Sequence, residues 1–127
     1  MVTYADGVPV GWCSLGPRVD NPRLVASRVI RPVDDVEVWS VVCVVVRRGH
    51  RRRGVTTRLL EGAVAWAASQ GAPAVEGYPV EAGGERIDLT MAFVGTVEMF
   101  ARAGFERIAT TDATGSGRPR VVVRRTC

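Results

Sequence analysis

The chain contains no lysine, and all 17 of its basic residues are arginine. Codon usage in a GC-rich genome is the simplest explanation, since valine, alanine and glycine are also abundant. A functional reason for the absence of lysine is the alternative. A guanidinium stays protonated and does not readily accept an acyl group, so a lysine-free chain offers no side-chain amine for self-modification.

Cysteine is scarce, and its spacing excludes two kinds of site. The three cysteines, Cys13, Cys43 and Cys127, are odd in number and form no Cys-x-x-Cys pair. They therefore support neither a disulfide framework nor a zinc site, and we expect no metal. Cys13 and Cys43 fall in apolar strand patterns, which favours core positions over nucleophiles.

Long apolar runs are also missing. There is no run of about 18 or more apolar residues, and the N-terminus lacks the basic-then-apolar pattern of a signal peptide. The 127 residues are 46% hydrophobic and 24% charged, which suffices for one compact core. We therefore expect a single domain over residues 1–127, in the cytoplasm and without a membrane partner.

An apolar strand followed by a helix is the most informative pattern present. Within residues 36–46 valine dominates, and the only strongly polar side chains are those of Glu37 and Ser40. This predicts a central strand buried on both faces. From Val55 the apolar residues recur at helical spacing, and Gly71 stands where a cap would end the helix.

Five arginines lie in the loop between that strand and that helix, at positions 47, 48, 51, 52 and 53. A helix N-terminus presents unpaired N–H groups and a partial positive charge, so this junction predicts an anion site. The net charge is +4 and the pI is about 9.6. Because the charge is concentrated in one loop without interleaved aromatic residues, it favours a small polyanion over nucleic acid.

Two motifs resemble one known family. Residues 51–56, Arg-Arg-Arg-Gly-Val-Thr, are similar to the acetyl-coenzyme A signature of the GNAT acetyltransferases, Gln/Arg-x-x-Gly-x-Gly/Ala, with Thr56 where glycine or alanine is usual. Phe93-Val94-Gly95 followed by residues 99–105 resembles the aromatic-x-x-x-Gly-Phe end of the family's fourth helix. The resemblance covers about residues 1–111.

The resemblance implies a coenzyme site. It places the coenzyme pyrophosphate on backbone N–H groups of the signature loop and the first helical turn. The implied residues are Arg51, Arg52, Arg53, Gly54, Val55, Thr56 and Thr57. It also implies that the pantetheine arm pairs with the central strand, where a backbone N–H near Val44, Val45 or Val46 polarises the thioester carbonyl. Acetyl-CoA is thus the expected cosubstrate.

The implied reaction is attack of an amine on a thioester, which needs a group that removes a proton from the amine. The family uses a carboxylate or a water chain. Glu37 on the central strand and Glu76 on the next strand are the candidates, and a plain surface charge is the alternative for both.

Several groups are candidates for the proton donor to the departing thiolate. Many family members carry a tyrosine four residues before the glycine of the Gly-Phe element, but here Phe100 holds that position. Tyr78 could substitute, as could Ser40 through water, or the thiolate could leave unassisted. Tyr78 is equally explained as a packing residue.

The expected fold is α/β (α+β): a mixed, mostly antiparallel central sheet with flanking helices. The predicted elements are a hairpin of residues 2–5 and 8–15 around Asp6-Gly7, a loop over 16–35 with a short helix around 23–29, strand 36–46, helix 55–70, strand 74–80, loop 81–90, helix 94–103 before Gly104, and strands 105–111 and 120–125 joined by a turn over 114–119.

Relative to the family, the usual first strand and first two helices are lacking. A truncated chain, a start codon assigned too far downstream, and a naturally short chain that completes itself by dimerisation are three open explanations. An exposed edge strand at the N-terminus favours pairing with a second copy, so we expect a homodimer.

Two classes of function follow. The first is an N-acetyltransferase acting from acetyl-CoA on a primary amine of a small molecule or protein. The alternative is a catalytically impaired acyl-CoA-binding or structural domain, favoured by Phe100 and by the missing N-terminal elements. A nucleic-acid-binding module is a weaker third reading.

Overall fold

A computed structural model describes residues 2–5, 7–46, 54–81, 96–115 and 118–127. The strands and helices are β1 (Val2–Ala5), β2 (Val8–Pro17), α1 (Pro22–Ala26), β3 (Trp39–Val46), α2 (Val55–Ser69), β4 (Ala74–Gly77), α3 (Val97–Arg102), β5 (Glu106–Gly115) and β6 (Arg118–Thr126). The sheet order is β1-β2-β3-β4-β6-β5, and β3–β4 is the parallel pair among otherwise antiparallel neighbours. The predicted fold class is confirmed.

The sheet buries apolar residues on both faces. One face packs against α2 and α3 through a core that includes Cys13, Val41, Val44, Leu59, Leu60, Val75, Phe100, Phe105, Val121 and Val123. The other face carries a smaller cluster of Leu24, Ile30, Tyr78 and Val122. Val121 and Val123 face the first cluster and Val122 faces the second, because side chains alternate between the two faces of a strand. Cys13 is a core residue, as predicted.

Helix α2 has the apolar spacing that the sequence predicts. Its buried side chains lie on one stripe and are those of Val55, Leu59, Leu60, Ala63, Val64 and Ala67. Each large aliphatic side chain in such a stripe contributes about 1.5–3 kcal/mol when it is fully buried. None of the helices in the described ranges combines the length and the apolar composition needed to cross a membrane.

Strands β3 and β4 pair over a short distance and then separate. Their described ladder joins Trp39 to Val75 and ends where Val41 meets Gly77. Beyond Gly77 the chain runs along β6, since the Val121 N–H donates to Pro79 O at 3.0 Å. The described residues show no β3–β4 pair after Val41, and we call the β4 side of this part of β3 the gap.

A bulge lies at the same point of β3. On the β2 side, Ser14 pairs with Cys43 and Leu15 with Val41, so Val42 is the extra residue. The bulge explains why Val41 and Val44, three residues apart, both face the core with α2. The bulge in β3 thus lies next to the last residue that pairs with β4.

The predicted start of the central strand is wrong by three residues. Asp34 Oδ1 accepts the Val36 N–H at 3.1 Å, and the Val38 N–H donates to Val36 O at 2.9 Å. These bonds turn the chain, so β3 begins at Trp39. Glu37 consequently lies exposed in the preceding loop and not on the strand.

Other boundaries differ for backbone reasons. Strand β4 ends at Gly77, three residues early, because Pro79 has no N–H for a ladder. Helix α1 ends at Ala26, where Ser27 adopts an extended conformation. Strands β5 and β6 run further than predicted, to a Gly115–Arg118 pair. Residues 82–95, which include part of the predicted loop and Phe93-Val94-Gly95, lie outside the described residues.

Candidate functional site

A cavity of about 500 Å³ lies between the end of β2, the segment that follows it, and β3. Its walls come from Ser14, Leu15, Gly16, Pro17, Asp20, Asn21, Pro22, Arg23, Ser40 and Val42. It is on the sheet face opposite α2, because Val42 packs against the cluster that contains Tyr78. Val42 is also the bulge residue, so the cavity borders the point where β3 and β4 separate.

A buried polar chain extends from the cavity wall into the sheet. Ser40 Oγ and Tyr78 Oη are 2.7 Å apart, and the Tyr78 hydroxyl donates to Glu76 Oε1 at 3.3 Å. All three residues are at most 3% exposed. Strand pairing explains their meeting, since Ser40 lies opposite Glu76 in the β3–β4 ladder.

Arg124 on β6 links these hydrogen-bonded side chains to a surface carboxylate. Its Nε donates to Glu76 Oε2 at 2.9 Å, and its two terminal nitrogens donate to the two Asp34 oxygens at 2.8 and 2.9 Å. The Arg124 guanidinium holds the pKa of Asp34 below its ordinary value. The pKa of Arg124 itself is raised, with its hydrogen bonds to the Asp34 carboxylate as the main cause. The ion pair stabilises the turn that precedes β3.

Burial sets the ionisation of Tyr78. Desolvation raises its pKa, and the nearby Glu76 charge adds to that shift, while the Ser40 hydrogen bond and the Arg18 charge oppose it. Arg18 is itself buried and donates to Ile30 O at 2.9 Å. Arg120 Nε donates to Tyr78 O at 2.9 Å, which fixes the backbone beyond β4. Tyr78 therefore keeps its proton at neutral pH.

The Asp34–Arg124 pair predicts a loss of stability in acid. Because the pKa of Asp34 is lowered on folding from its ordinary value of 3.8, the pair stabilises fully above that value. The stabilisation is lost as the pH falls through the lowered pKa. We expect Asp34→Asn to flatten the dependence of the urea midpoint on pH below about pH 4.

The neighbouring exposed Asp35 supplies the control for that prediction, because it is also a surface carboxylate of the same loop. Asp35→Asn should leave the acid limb of the curve close to that of the unaltered chain. Equal acid limbs for the two variants would show that the Asp34 pair does not contribute.

The N-terminus of α2 has the geometry expected of an anion site. Gly54 precedes the helix with φ +73°, a left-handed conformation that glycine adopts without strain, and its carbonyl accepts the Arg58 N–H at 3.0 Å. No acidic residue lies in the first turn, Val55 is buried, and Thr56 and Thr57 are half-buried. Arg51, Arg52 and Arg53 lie outside the described residues.

The predicted coenzyme-binding strand residues lie beyond the bulge, on the part of β3 that extends past the β4 ladder. Val44 is buried against the α2 core, and Val45 and Val46 are half-buried. Their backbone lies on the part of β3 that has no described pairing with β4.

The structure brings together Glu76 and Tyr78 from the predicted catalytic set and leaves Glu37 apart from them. It adds Arg124 and Asp34, which sequence reasoning missed because 90 residues separate the two. No local spacing signals such a contact.

Phe100, which holds the position of the family's usual tyrosine, is 1% exposed and packs edge-on against Phe105 at a centroid distance of 5.0 Å.

Comparisons with known proteins bear on the family and on the fold. The model of the acetyltransferase (GNAT) family matches residues 1–85. Comparison with curated protein sequences finds no match.

Solved structures resemble this fold. An aminoglycoside acetyltransferase, AAC(6')-Ib, in complex with coenzyme A aligns over 98% of this chain and 64% of its own, at 16% identity and a TM-score of 0.67. A GCN5-related N-acetyltransferase from Kribbella flavida aligns over 96% and 62%, at 22% identity and a TM-score of 0.62. A ribosomal-protein-alanine N-acetyltransferase from Brucella melitensis aligns over 99% and 67%, at 18% identity and a TM-score of 0.62. The chain thus spans about two thirds of the length of these structures.

Proposed function

This chain belongs to the GNAT family of acetyltransferases, and we propose that it transfers an acetyl group from acetyl-CoA to a primary amine of a small molecule or protein. One observation carries the proposal. The left-handed Gly54 opens α2, which is the next described element after β3, and the ladder of β3 with β4 ends at Val41. A helix N-terminus for phosphate and a strand edge for an extended arm thus follow one another along the chain.

On the donor side, the backbone N–H groups of residues 54–57 bind the coenzyme pyrophosphate, together with Arg51, Arg52 and Arg53. The free N–H groups and positive end of α2 supply the attraction. The pantetheine arm lies in the gap beside Val44, Val45 and Val46, where a backbone N–H polarises the thioester carbonyl.

On the acceptor side, the amine enters from the cavity that borders the bulge at Val42. Its walls carry the Asp20 carboxylate and the Ser40 hydroxyl, both able to accept a hydrogen bond from an amine. Neighbouring folds were solved with kanamycin, or are named for acting on ribosomal-protein alanine. Small molecules and protein termini are therefore both acceptors to test.

The thiolate leaves unassisted and takes its proton from solvent. Phe100 has no proton to give, and Tyr78 is held in hydrogen bonds to Ser40 and Glu76. Glu76 is paired with Arg124. Tyr78 and Glu76 therefore affect the cavity only through the hydrogen bonds that reach Ser40. Glu37 takes no part in the proposed reaction.

Coenzyme binding without catalysis is the second candidate function, favoured by Phe100 at the usual tyrosine position. A two-stage experiment separates the two. Stabilisation by coenzyme A in a thermal-shift titration is expected for both, reaching about 2.7 kcal/mol at a hundredfold excess over Kd. Coenzyme release from acetyl-CoA on adding kanamycin or a peptide with an N-terminal alanine is expected for the transferase alone.

A charged variant tests the α2 site. Thr56→Glu places a carboxylate in the first turn, where it repels the pyrophosphate, and we expect coenzyme A to bind about tenfold more weakly. The helix dipole favours that carboxylate, so folding should not suffer. Isothermal titration calorimetry measures the change.

Ala65→Glu is the matched control, since this exposed position lies about 14 Å further along the same helix. That distance exceeds the Debye length of about 8 Å at physiological salt. Coenzyme affinity equal in the two variants would place the pyrophosphate elsewhere.

A further inference from the structure

Ser40 is the polar residue that connects the cavity with the buried chain behind it. It lines the cavity, and its hydroxyl lies 2.7 Å from Tyr78 Oη. Ser40 and Val42 are two residues apart on β3, and Val42 packs on the same sheet face as Tyr78. Ser40 therefore lines the cavity on the sheet face that also carries Val42 and Tyr78.

The partners behind Ser40 determine the direction of its hydrogen bond. The Glu76 carboxylate receives two hydrogen bonds from Arg124, through Nε at 2.9 Å and through a terminal nitrogen. A carboxylate can only accept, so the single Tyr78 proton points to Glu76. The Tyr78 oxygen must then accept, and the Ser40 proton points to Tyr78.

The Ser40 oxygen consequently presents its lone pairs, and not its proton, to the cavity. From this polarity we infer that Ser40 binds the acceptor amine by accepting one of its N–H hydrogens. The inference rests on the proposed transferase function and names the feature of the substrate that the site recognises. Tyr78 and Glu76 are positioning residues, because they orient Ser40 without touching the amine.

The inferred contact selects primary amines. When a neutral primary amine attacks the thioester carbonyl, its nitrogen carries two hydrogens, so one is released to solvent while the other stays bonded to Ser40. A secondary amine carries a single hydrogen at that stage and cannot do both. The buried serine oxygen would then lose its partner, which is costly inside a protein.

Ser40→Ala tests the inference with matched substrates. The probes are a tetrapeptide with N-terminal alanine and its N-methyl-alanine counterpart, together with kanamycin, and the readout is the rate of coenzyme release. We expect the unaltered chain to prefer the primary amine over the N-methyl amine at least tenfold. In Ser40→Ala that ratio should fall to within about threefold, with coenzyme affinity unchanged.

Tyr78→Phe and Ser40→Thr keep the test independent of folding defects. Tyr78→Phe removes the acceptor for the Ser40 proton, so the amine ratio should fall while coenzyme affinity is retained. The urea midpoint should fall as well, because two buried hydrogen bonds are lost. Ser40→Thr keeps the hydroxyl and should keep the ratio. A ratio in Ser40→Ala equal to that of the unaltered chain overturns the inference. An unaltered chain that releases no coenzyme with any probe overturns the transferase function itself, and the inference with it.

Discussion

Glu76→Ala is expected to lower the free energy of unfolding by about 3 kcal/mol or more, a large share of the stability of a domain of this size. The substitution leaves Arg124, whose side chain is 15% exposed, with Asp34 as its remaining ion-pair partner. It also removes the acceptor of the Tyr78 hydroxyl inside the sheet. Urea unfolding followed by circular dichroism measures the loss.

The exposed ion pair between Arg107 and Glu81 is the natural comparison. Its distances of 2.6 and 2.7 Å are as short as those around Arg124, yet both side chains are about 40% exposed. Water and salt screen such a pair, so Glu81→Ala should shift the urea midpoint far less. If the two alanine variants lost the same stability, burial would not be what gives the Glu76 pair its importance.

Gly77→Ala should cost about 1–3 kcal/mol, toward the upper end, because a Cβ at this position has no room. It would lie 2.4 and 2.5 Å from two ring carbons of Phe100. Phe100 cannot retreat easily, since it is buried and packs against Phe105. The glycine on β4 thus lets α3 approach the sheet closely, beside the point where β3 and β4 separate.

A matched glycine and a second-site change make this prediction specific. Gly16 on β2 has nothing within 4 Å of an added Cβ, so Gly16→Ala should be neutral or slightly stabilising. Phe100→Leu frees space above Gly77, so the double variant should lose less than the sum of the two single losses. Additive losses would mean that the Phe100 ring is not the obstacle.

The element types were predictable because each depends on short-range pattern. The valine run predicted β3, the apolar stripe predicted α2, and the family motifs predicted the order of the elements around them. The element ends were less predictable, since single hydrogen bonds decide them. Asp34 turns the chain before Trp39, and Pro79 interrupts the ladder after Gly77.

The candidate site divides in the same way. The N-terminus of α2 was predictable because Gly54 and the residues after it are contiguous in the chain. The hydrogen-bonded side chains behind the cavity could not be predicted, because the sheet brings together Ser40, Glu76 and Arg124 from three strands. The sequence by itself determined the family, the alternation of strand and helix, and the position of the helix N-terminus at which we propose the anion site, all of which are local. Only the tertiary structure decided which carboxylates are buried and that Ser40 meets Tyr78, because strand register and packing between distant residues set both.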